Sequence, residues 1–286
     1  MKALSVAQAL LWAKEQLRAR QQLEAYDEAA LDAEILLAFA IDKNRTWLKT
    51  WPEYLLSEDQ KSCFEDFISR RRQGEPTAYI IGEQEFWSLT LNVTRDTLIP
   101  RPETEMLVEQ ALLRIPSDES YSIVDLGTGS GAIALAIASE RPQATVWALD
   151  MSELALKVAQ ANAESNQIDN VTFEQGSWLS NWLHGKLDMI VSNPPYVAPN
   201  DPHLADLVYE PVTALVAEDK GLSDIRQITQ QATEHLKPDG YLLFEHGYDQ
   251  GQAVREILQQ TGFEQIETIK DYAGLDRVTL GLYSKD

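Results

Sequence analysis

From residue 122 onward, short apolar runs alternate with longer helical stretches, and this pattern restricts the possible fold more than any other feature of the chain. The apolar runs predict strands: SIVDLG, ATVWALD, NVTFEQ, LDMIVS, GYLLFEHG and RVTLGLY. The helical stretches between them include AIALAIASE, SELALKVAQANAES and SDIRQITQQATEHL. Repeated strand and helix units predict a mostly parallel sheet covered on both faces, with ligands bound beyond the carboxyl ends of its strands.

The first 74 residues have helical patterns only. One helix is predicted from about residue 4 to residue 20, and a second runs through DEAALDAEILLAFA with Asp27 as its N-cap. A third begins at SEDQ, where Ser57 and Gln60 have the spacing of a capping box. These patterns predict a small helical domain over residues 1–74.

The stretch AYIIGEQEFWSLTLNVT is rich in aromatic and β-branched residues on either side of Gly82. It predicts a β-hairpin, which we expect to form a linker over residues 75–100. The segment IPRPETE follows, and its prolines 100 and 102 are expected to start a helix. The α/β domain is then expected to occupy residues 101–286.

Charge is distributed unevenly along the 286 residues. The net charge is −21, but residues 1–74 hold 11 Lys and Arg against 12 Asp and Glu, leaving 13 basic and 33 acidic residues in the rest. A region this acidic repels phosphate backbones, so we expect no direct nucleic-acid partner. The single cysteine, Cys63, and the scattered histidines predict neither an intramolecular disulfide nor a metal site.

The N-terminal sequence MKALSVAQALLWAKEQLRAR has some features of a signal peptide, but the pattern favours an amphipathic helix. Ser5 and Gln8 interrupt the apolar stretch, while Leu4, Leu11 and Leu17 recur about every seven residues. No run approaches the ~18 apolar residues of a membrane span. We therefore expect a cytoplasmic protein without a membrane partner.

A glycine-rich turn follows the first of these strands in IVDLGTGSGAIALAIA. Gly127, Gly129 and Gly131 allow the backbone to turn tightly and to approach a ligand closely. Gly127, Gly129 and Ala132 also satisfy the dinucleotide pattern, so a nicotinamide cofactor remains an alternative, as does a turn needed only for helix packing. A phosphate-binding P-loop is excluded, because no Gly-Lys-Ser/Thr follows.

Two acidic residues favour a different cofactor. Asp125 precedes the first glycine, where its carboxylate could hold the ammonium group of a methionine moiety. Asp150 ends the next strand, where it could bind ribose hydroxyls. Together, D-x-G-x-G-x-G and the second acid resemble the S-adenosylmethionine site of Rossmann-like methyltransferases, so S-adenosylmethionine is the predicted cofactor.

The strand LDMIVS ends in Asn-Pro-Pro-Tyr, residues 193–196. An amide nitrogen is a poor nucleophile because its lone pair is delocalised, but hydrogen-bond acceptors favour the pyramidal, partly positive nitrogen of a methyl-transfer transition state. The Asn193 side-chain oxygen and the Pro194 carbonyl could each accept one N–H at ~2.9 Å, while Tyr196 stacks on the planar acceptor group. Asn193, Pro194 and Tyr196 are thus the predicted catalytic residues; a rigid turn is the alternative.

Asn-Pro-Pro-Tyr after a strand of a D-x-G-x-G-x-G domain resembles the amino-methyltransferases, which act on adenine or cytosine amino groups or on glutamine amides. Within that group the whole chain is similar to the family of bacterial peptide chain release factor glutamine N5-methyltransferases. The segments that carry this resemblance are IPRPETE, VDLGTGSGAIALAIA, VSNPPYV, DPHL, YEP followed by TALVA, and LLFEHG.

The resemblance implies an α/β fold: a Rossmann-like seven-stranded methyltransferase domain, preceded by a small all-helical N-terminal domain and a β-hairpin linker. It also implies a protein-glutamine N-methyltransferase that uses S-adenosylmethionine. Its partners would be class-1 peptide chain release factors, methylated on the glutamine of their Gly-Gly-Gln loop. A DNA adenine-N6 methyltransferase and a non-catalytic scaffold remain alternatives; the acidic charge speaks against the first, and an intact Asn193 and Asp150 against the second.

Site residues follow from the same resemblance. It assigns to the cofactor Asp125, Gly127, Thr128, Gly129, Ser130, Gly131, Asp150, Trp178 and Asn193, with Trp178 against the adenine. It assigns to the glutamine pocket Asn193, Pro194, Pro195 and Tyr196. No metal ligand is implied.

Segments outside these motifs are expected to complete the substrate site. Arg101, Glu103 and Glu105 would shape its entrance, although a capped helix start is an alternative interpretation. Glu210 and Pro211 would close the other side, after a segment from DPHL to YEP that looks short for the family. The helical domain is expected to grip the release factor, and its arginines 70–72 are either a contact patch or a solvated helix end.

Overall fold

The computed structural model describes residues 4–18 and 28–284. The chain forms two compact units, Met1–Gly82 and Glu83–Asp286, so the structural division falls later than the boundary predicted at residue 74. Within the described residues, no helix is both long enough and apolar enough to cross a membrane.

The N-terminal unit is helical, as its sequence predicts. Its helices are α1 (Val6–Arg18), α2 (Glu28–Ala40), α3 (Arg45–Thr50), α4 (Glu58–Arg72) and α5 (Thr77–Ile81). The predicted capping box starts α4: Ser57 Oγ accepts from Gln60 N at 3.2 Å, and Gln60 Oε1 accepts from Ser57 N at 3.0 Å. The N-cap predicted at Asp27 and the end of the first helix predicted at residue 20 lie outside the described residues.

The predicted β-hairpin begins too early in the sequence. The residues AYII belong to helix α5, which ends at Gly82 with φ 83°. Ala78, Tyr79 and Ile80 are all buried, so packing in the helical unit overrides the strand preference of these β-branched and aromatic residues. The hairpin is confined to β1 (Glu83–Phe86) and β2 (Leu89–Asn92).

The C-terminal unit continues with a 3₁₀ turn at Pro102–Thr104 and then with alternating helices and strands. In chain order these are α6 (Glu105–Leu112), β3 (Ser122–Leu126), α7 (Ala132–Glu140), β4 (Thr145–Asp150), α8 (Glu153–Ser165), β5 (Val171–Gln175), β6 (Leu187–Ser192), α9 (Glu218–Gly221), α10 (Ser223–His235), β7 (Leu236–Glu245), α11 (Gly251–Thr261), β8 (Phe263–Lys270) and β9 (Asp276–Tyr283).

These strands form one seven-stranded sheet in the order β5-β4-β3-β6-β7-β9-β8. The first five are parallel, and β9 runs antiparallel to both of its neighbours, which confirms the predicted Rossmann-like, mostly parallel sheet. One apolar core packs against α6 and α7, and another packs against α10 and α11 on the second face. The strand order reverses at β3, which is where ligands bind in such sheets.

The register of the parallel strands aligns the residues that end them. Leu126 pairs with both Leu149 and Ser192, and Ser192 pairs with Phe244. The residues that follow these four therefore share one edge of the sheet: Gly127, Asp150, Asn193 and Glu245. Gly127, Asp150 and Asn193 are predicted site residues, and Glu245 belongs to the segment LLFEHG.

Candidate active site

A cavity of about 440 Å³ opens at this edge, entirely within the C-terminal unit. Segments following β2, β3, β4, β5 and β6 contribute to its wall, together with the start of α10. The lining residues are Arg95, Asp96, Thr97, Leu98, Gly127, Gly129, Asp150, Met151, Ser152, Ala155, Gly176, Ser177, Trp178, Asn193, Pro195, Pro211, Thr213, Ala214, Asp224 and Gln227.

The glycine loop lies on the floor of the cavity. Gly127, Gly129 and Gly131 have φ values of 75°, 55° and 85°, in the left-handed region that glycine adopts without a steric penalty. The N–H groups of Gly127 and Thr128 both donate to Leu149 O, at 2.8 and 2.9 Å. These bonds hold the glycine loop against the carboxyl end of β4, where Asp150 also contacts the loop.

Asp150 connects β4 to the glycine loop. Its Oδ2 accepts from Gly129 N at 2.9 Å and its Oδ1 accepts from Ser152 N at 2.8 Å. Burial raises the pKa of this carboxyl group, while the backbone N–H groups of Ser152 and Gly129 lower it. Each carboxylate oxygen can still accept a further hydrogen bond, as binding of two neighbouring hydroxyl groups requires.

Asp125 is fully buried beneath the glycine loop and does not line the cavity. Its Oδ2 accepts from the Thr128 hydroxyl at 2.6 Å and from Ala134 N at 3.3 Å. Its Oδ1 accepts no hydrogen bond from any described residue. Burial raises the pKa of Asp125 to about 7. Asp125 therefore organises the loop through one oxygen, while the other stays buried without a partner among the described residues.

Trp178 forms a side wall. Its backbone has φ 52°, a strained conformation for a bulky residue, and its ring lies so close to Gly127 that a Cβ there would be 3.3 Å from Cζ3. Burial raises the pKa of Asp224, and a hydrogen bond with Trp178 opposes this with a smaller effect. An aromatic face and a carboxylate are thus held side by side at the cavity.

Asn193, directly after β6, presents an unused acceptor. Its Nδ2 donates to Thr104 Oγ1 at 3.4 Å, but its buried Oδ1 receives no hydrogen bond within the described part of the chain. Nearly all buried polar atoms in proteins are paired, so an unpaired amide oxygen at a cavity indicates a place for a ligand's donor. Pro194 is buried beside it, and Pro195 lines the cavity.

Tyr196 does not line the cavity. The almost fully buried Glu245 is the charged group that acts most strongly on its hydroxyl. Burial, followed by the Glu245 charge, raises the pKa of Tyr196 well above its usual value. Burial likewise raises the pKa of Glu245 to about 7, against a hydrogen bond from Thr104. The tyrosine side chain thus lies outside the cavity lining, near this buried carboxyl group.

The segments IPRPETE and YEP are joined by an ion pair. Arg101 Nη2 donates to Glu210 Oε1, and Ile99 N donates to Glu210 Oε2 at 3.2 Å. Glu210 is only 6% exposed, so the carboxylate side of this ion pair is shielded from solvent. The ion pair stands outside the cavity lining, whereas Pro211, next to it, forms part of the wall.

Glu103 and Glu105 fit the alternative interpretation, in which they begin a helix rather than shape the entrance of the substrate site. Glu103 lies in the 3₁₀ turn that leads into α6, and Glu105 opens that helix. Glu105 Oε1 accepts from Trp87 N at 2.8 Å, at the tip of the hairpin. Both glutamates line a separate cavity of about 460 Å³ that also includes Tyr272.

The structure thus gathers around one cavity seven of the residues predicted from the sequence: Gly127, Gly129, Asp150, Trp178, Asn193, Pro195 and Pro211. It places outside the lining Asp125, Thr128, Ser130, Gly131, Pro194 and Tyr196. Sequence reasoning missed the wall segment 95–98 and Asp224, which belong to no motif, and it gave no role to Thr213 and Ala214, although both lie in the segment TALVA. Among the described residues, no group of three or more His, Cys, Asp and Glu side chains could hold a metal ion.

Two family models match the chain. One, described as "PrmC N-terminal domain", matches residues 8–82, and another, described as "Methyltransferase domain", matches residues 117–274. Among solved structures, a methyltransferase from Pyrococcus furiosus superposes with a TM-score of 0.55 at 16% identity, covering 77% of this chain and 100% of the other. Ribosomal protein L11 methylase from Lactobacillus delbrueckii subsp. bulgaricus superposes with a TM-score of 0.50 at 24% identity, covering 71% and 87%. These likenesses show the methyltransferase fold.

Similarity to characterised sequences extends over nearly the whole chain. A release factor glutamine methyltransferase of Vibrio cholerae serotype O1 is 49% identical over 287 residues, covering 99% of each chain. The protein of the same name from Escherichia coli strain K12 is 46% identical over 274 residues, covering 95% of this chain and 98% of the relative. This protein therefore belongs to the release factor glutamine methyltransferase family.

Proposed function

We propose that this protein transfers a methyl group from S-adenosylmethionine to the side-chain amide nitrogen of the glutamine in the Gly-Gly-Gln loop of class-1 peptide chain release factors. The reaction takes place in the cytoplasm, where release factors act. The observation that carries this proposal is the orphaned Asn193 Oδ1, a buried acceptor at the wall of the cavity. The relatives named for this activity support the choice of substrate.

The residues around the cavity fit S-adenosylmethionine. The volume of about 440 Å³ lies in the usual range for small-molecule sites. Asp150 offers carboxylate oxygens to ribose hydroxyls and Trp178 offers an aromatic face to adenine, while Asp125 holds the glycine loop from below through Thr128. A Cβ at Gly129 would have no described atom within 4 Å, so the loop leaves open space for a ligand there.

When bound, this cofactor supplies a methyl group on positively charged sulfur, which is an electrophile. The protein orients the nucleophile. Asn193 Oδ1 and the Pro194 carbonyl accept the two N–H groups of the glutamine amide, which fixes the nitrogen and favours its pyramidal, partly positive form. The prolines keep these acceptors rigid and add no competing donor. The proton, made acidic by methylation, then leaves to water.

We assign the N-terminal unit to binding the release factor. It exposes several large apolar side chains that a partner could cover: Leu11, Trp51, Tyr54 and Leu55. The arginines at the end of α4 are engaged inside the unit. Arg70 pairs with Glu75 at 2.8 Å, and Arg71 pairs with Asp32 at 2.7 Å. Because Arg70 and Arg71 are paired within the unit, we interpret residues 70–72 as the charged end of a helix rather than as a surface that contacts the release factor.

The proposal is tested by incubating the purified protein with S-adenosylmethionine labelled in its methyl group. The separate acceptors are a class-1 release factor, the same factor with alanine in place of the loop glutamine, and duplex DNA. We expect label on the first acceptor alone. The acidic C-terminal unit disfavours DNA binding. Label on DNA, or equal labelling of both release factors, would refute the proposed substrate.

A further inference from the structure

The backbone carbonyl of Tyr196 lies where three segments of the C-terminal unit meet. Gln250, at the start of α11, donates from Nε2 to Tyr196 O at 3.0 Å and to Lys220 O at 3.0 Å. Its Oε1 accepts from Gly247 N at 2.8 Å. Both donors and the acceptor of this amide are therefore used, and the residue is only 8% exposed.

Gly221 approaches the same carbonyl from the other side. It has φ +83°, and a Cβ built on it would lie 2.0 Å from Tyr196 O and 2.7 Å from Gln250 Nε2. No side chain fits there unless the carbonyl moves. Gly221 ends α9, in which Asp219 and Lys220 are also left-handed, with φ 53° and 58°.

Three consecutive left-handed residues are rare, because non-glycine residues visit this region singly and at an energetic cost. Such backbone strain persists only where the surroundings enforce it, and it is concentrated at functional sites. Here the enforcing contacts include the hydrogen bond from Gln250 to Lys220 O and the ion pair of Arg226 with Asp219 at 2.8 Å.

The chain after Tyr196 is also tied to the wall of the cavity. Val197 N donates to Leu215 O at 2.9 Å, and Ala217 N donates to Val197 O at 3.0 Å. Leu215 directly follows the wall residues Thr213 and Ala214. The Asn-Pro-Pro-Tyr tip and this wall thus form one hydrogen-bonded unit, and the contacts of Gln250 and Gly221 hold its position.

We propose that Gln250 and Gly221 are positioning residues for methyl transfer, which together fix the Tyr196 carbonyl and thereby hold the Asn193 acceptor in place. Pro194 and Pro195 restrict the backbone between these two residues, so a displacement at Tyr196 is passed to Asn193 rather than absorbed. This inference rests on the proposed function, because it assumes that Asn193 binds the reacting amide.

Two substitutions disturb the same carbonyl by different means. Gln250→Glu removes both donors but keeps the acceptor for Gly247 N, and it places a carboxylate against two carbonyl oxygens. Gly221→Ala introduces the clash with Tyr196 O without adding charge. Their matched controls are Gln252→Glu, an exposed residue of the same helix, and Gly274→Ala, where φ is +82° and no described atom lies within 4 Å of the added Cβ.

The experiment measures kcat and KM on the intact release factor, with each full-length variant shown to be folded at the assay temperature. Because an ~1 Å misplacement of a positioned group can cost about 10²-fold in rate, we expect kcat to fall about 10- to 100-fold in Gln250→Glu and in Gly221→Ala. Both controls should keep the wild-type kcat. The double variant should lose little more than the worse single variant, because both act on one carbonyl.

Wild-type kcat in either Gln250→Glu or Gly221→Ala would overturn the inference, as would losses that multiply in the double variant. A loss explained by the unfolded fraction of the sample would also overturn it. If the wild-type protein does not methylate the release factor, the proposed function itself fails. The two failures are thereby distinguished.

Discussion

Asn193 Nδ2 donates a hydrogen bond to Thr104 Oγ1 across 3.4 Å, which leaves Asn193 Oδ1 as the end of the amide without a partner among the described residues. Thr104 is itself buried, and its hydroxyl lowers the pKa of the buried Glu245 carboxyl group against the larger effect of burial. Residues of two segments thus set how the Asn193 amide is hydrogen-bonded at the edge of the cavity.

Glu245 should make stability depend on pH. Burial raises its folded-state pKa from 4.5 to about 7, so the folded protein binds a proton more tightly than the unfolded chain, and this contribution to stability is lost as pH rises toward 7. Glu245→Gln removes the effect. We expect urea unfolding to show that the variant gains about 2–3 kcal/mol relative to wild type between pH 5 and pH 8. A difference independent of pH would show that Glu245 titrates normally.

Asp150 tests the cofactor assignment. Asp150→Ala removes the carboxylate oxygens that we assign to the ribose hydroxyls, and loss of hydrogen bonds to a charged acceptor costs about 1.5–3 kcal/mol. Titration calorimetry should therefore show S-adenosylmethionine affinity reduced by that amount. The exposed Asp169→Ala is the control and should bind normally. Unchanged affinity in Asp150→Ala would remove this residue from the cofactor site.

The N-terminal unit should contribute binding energy without affecting the chemistry. Trp51 and Leu55 are 55% and 58% exposed, so Trp51→Ala combined with Leu55→Ser should leave the unit folded. We expect KM for the intact release factor to rise about tenfold, as for removal of a binding anchor worth ~1.4 kcal/mol, while turnover of a short Gly-Gly-Gln peptide stays unchanged. Leu183→Ser, at a 90% exposed position of the other unit, is the control. Equal effects on both substrates would contradict a docking role for this surface.

The sequence was informative where chemistry requires a particular residue at a strand end. Gly127, Asp150 and Asn193 could be recognised because a tight turn, a carboxylate and an amide followed by prolines are distinctive, and the parallel register then aligns them. The wall residues Thr213 and Asp224 could not be recognised as site residues. Neither residue type is distinctive at these positions, and both reach the cavity only through the path of the folded chain. Strand β8 was missed because most of its residues are polar and only Phe263 is buried. Helix α5 was misassigned because its burial depends on neighbouring helices.

The central claim is that Asn193 Oδ1 holds the reacting amide, and single-turnover methylation by Asn193→Ala at saturating cofactor tests it most directly. The substitution removes the acceptor while Pro194 and Pro195 preserve the backbone. By analogy with loss of one preorganised hydrogen-bonding group at a transition state, the methyl-transfer rate should fall about 10²–10³-fold. The exposed Asn200→Ala should react at the wild-type rate. A lowered Tm with a nearly wild-type rate in Asn193→Ala would show that Asn193 is only a turn residue and would contradict the mechanism.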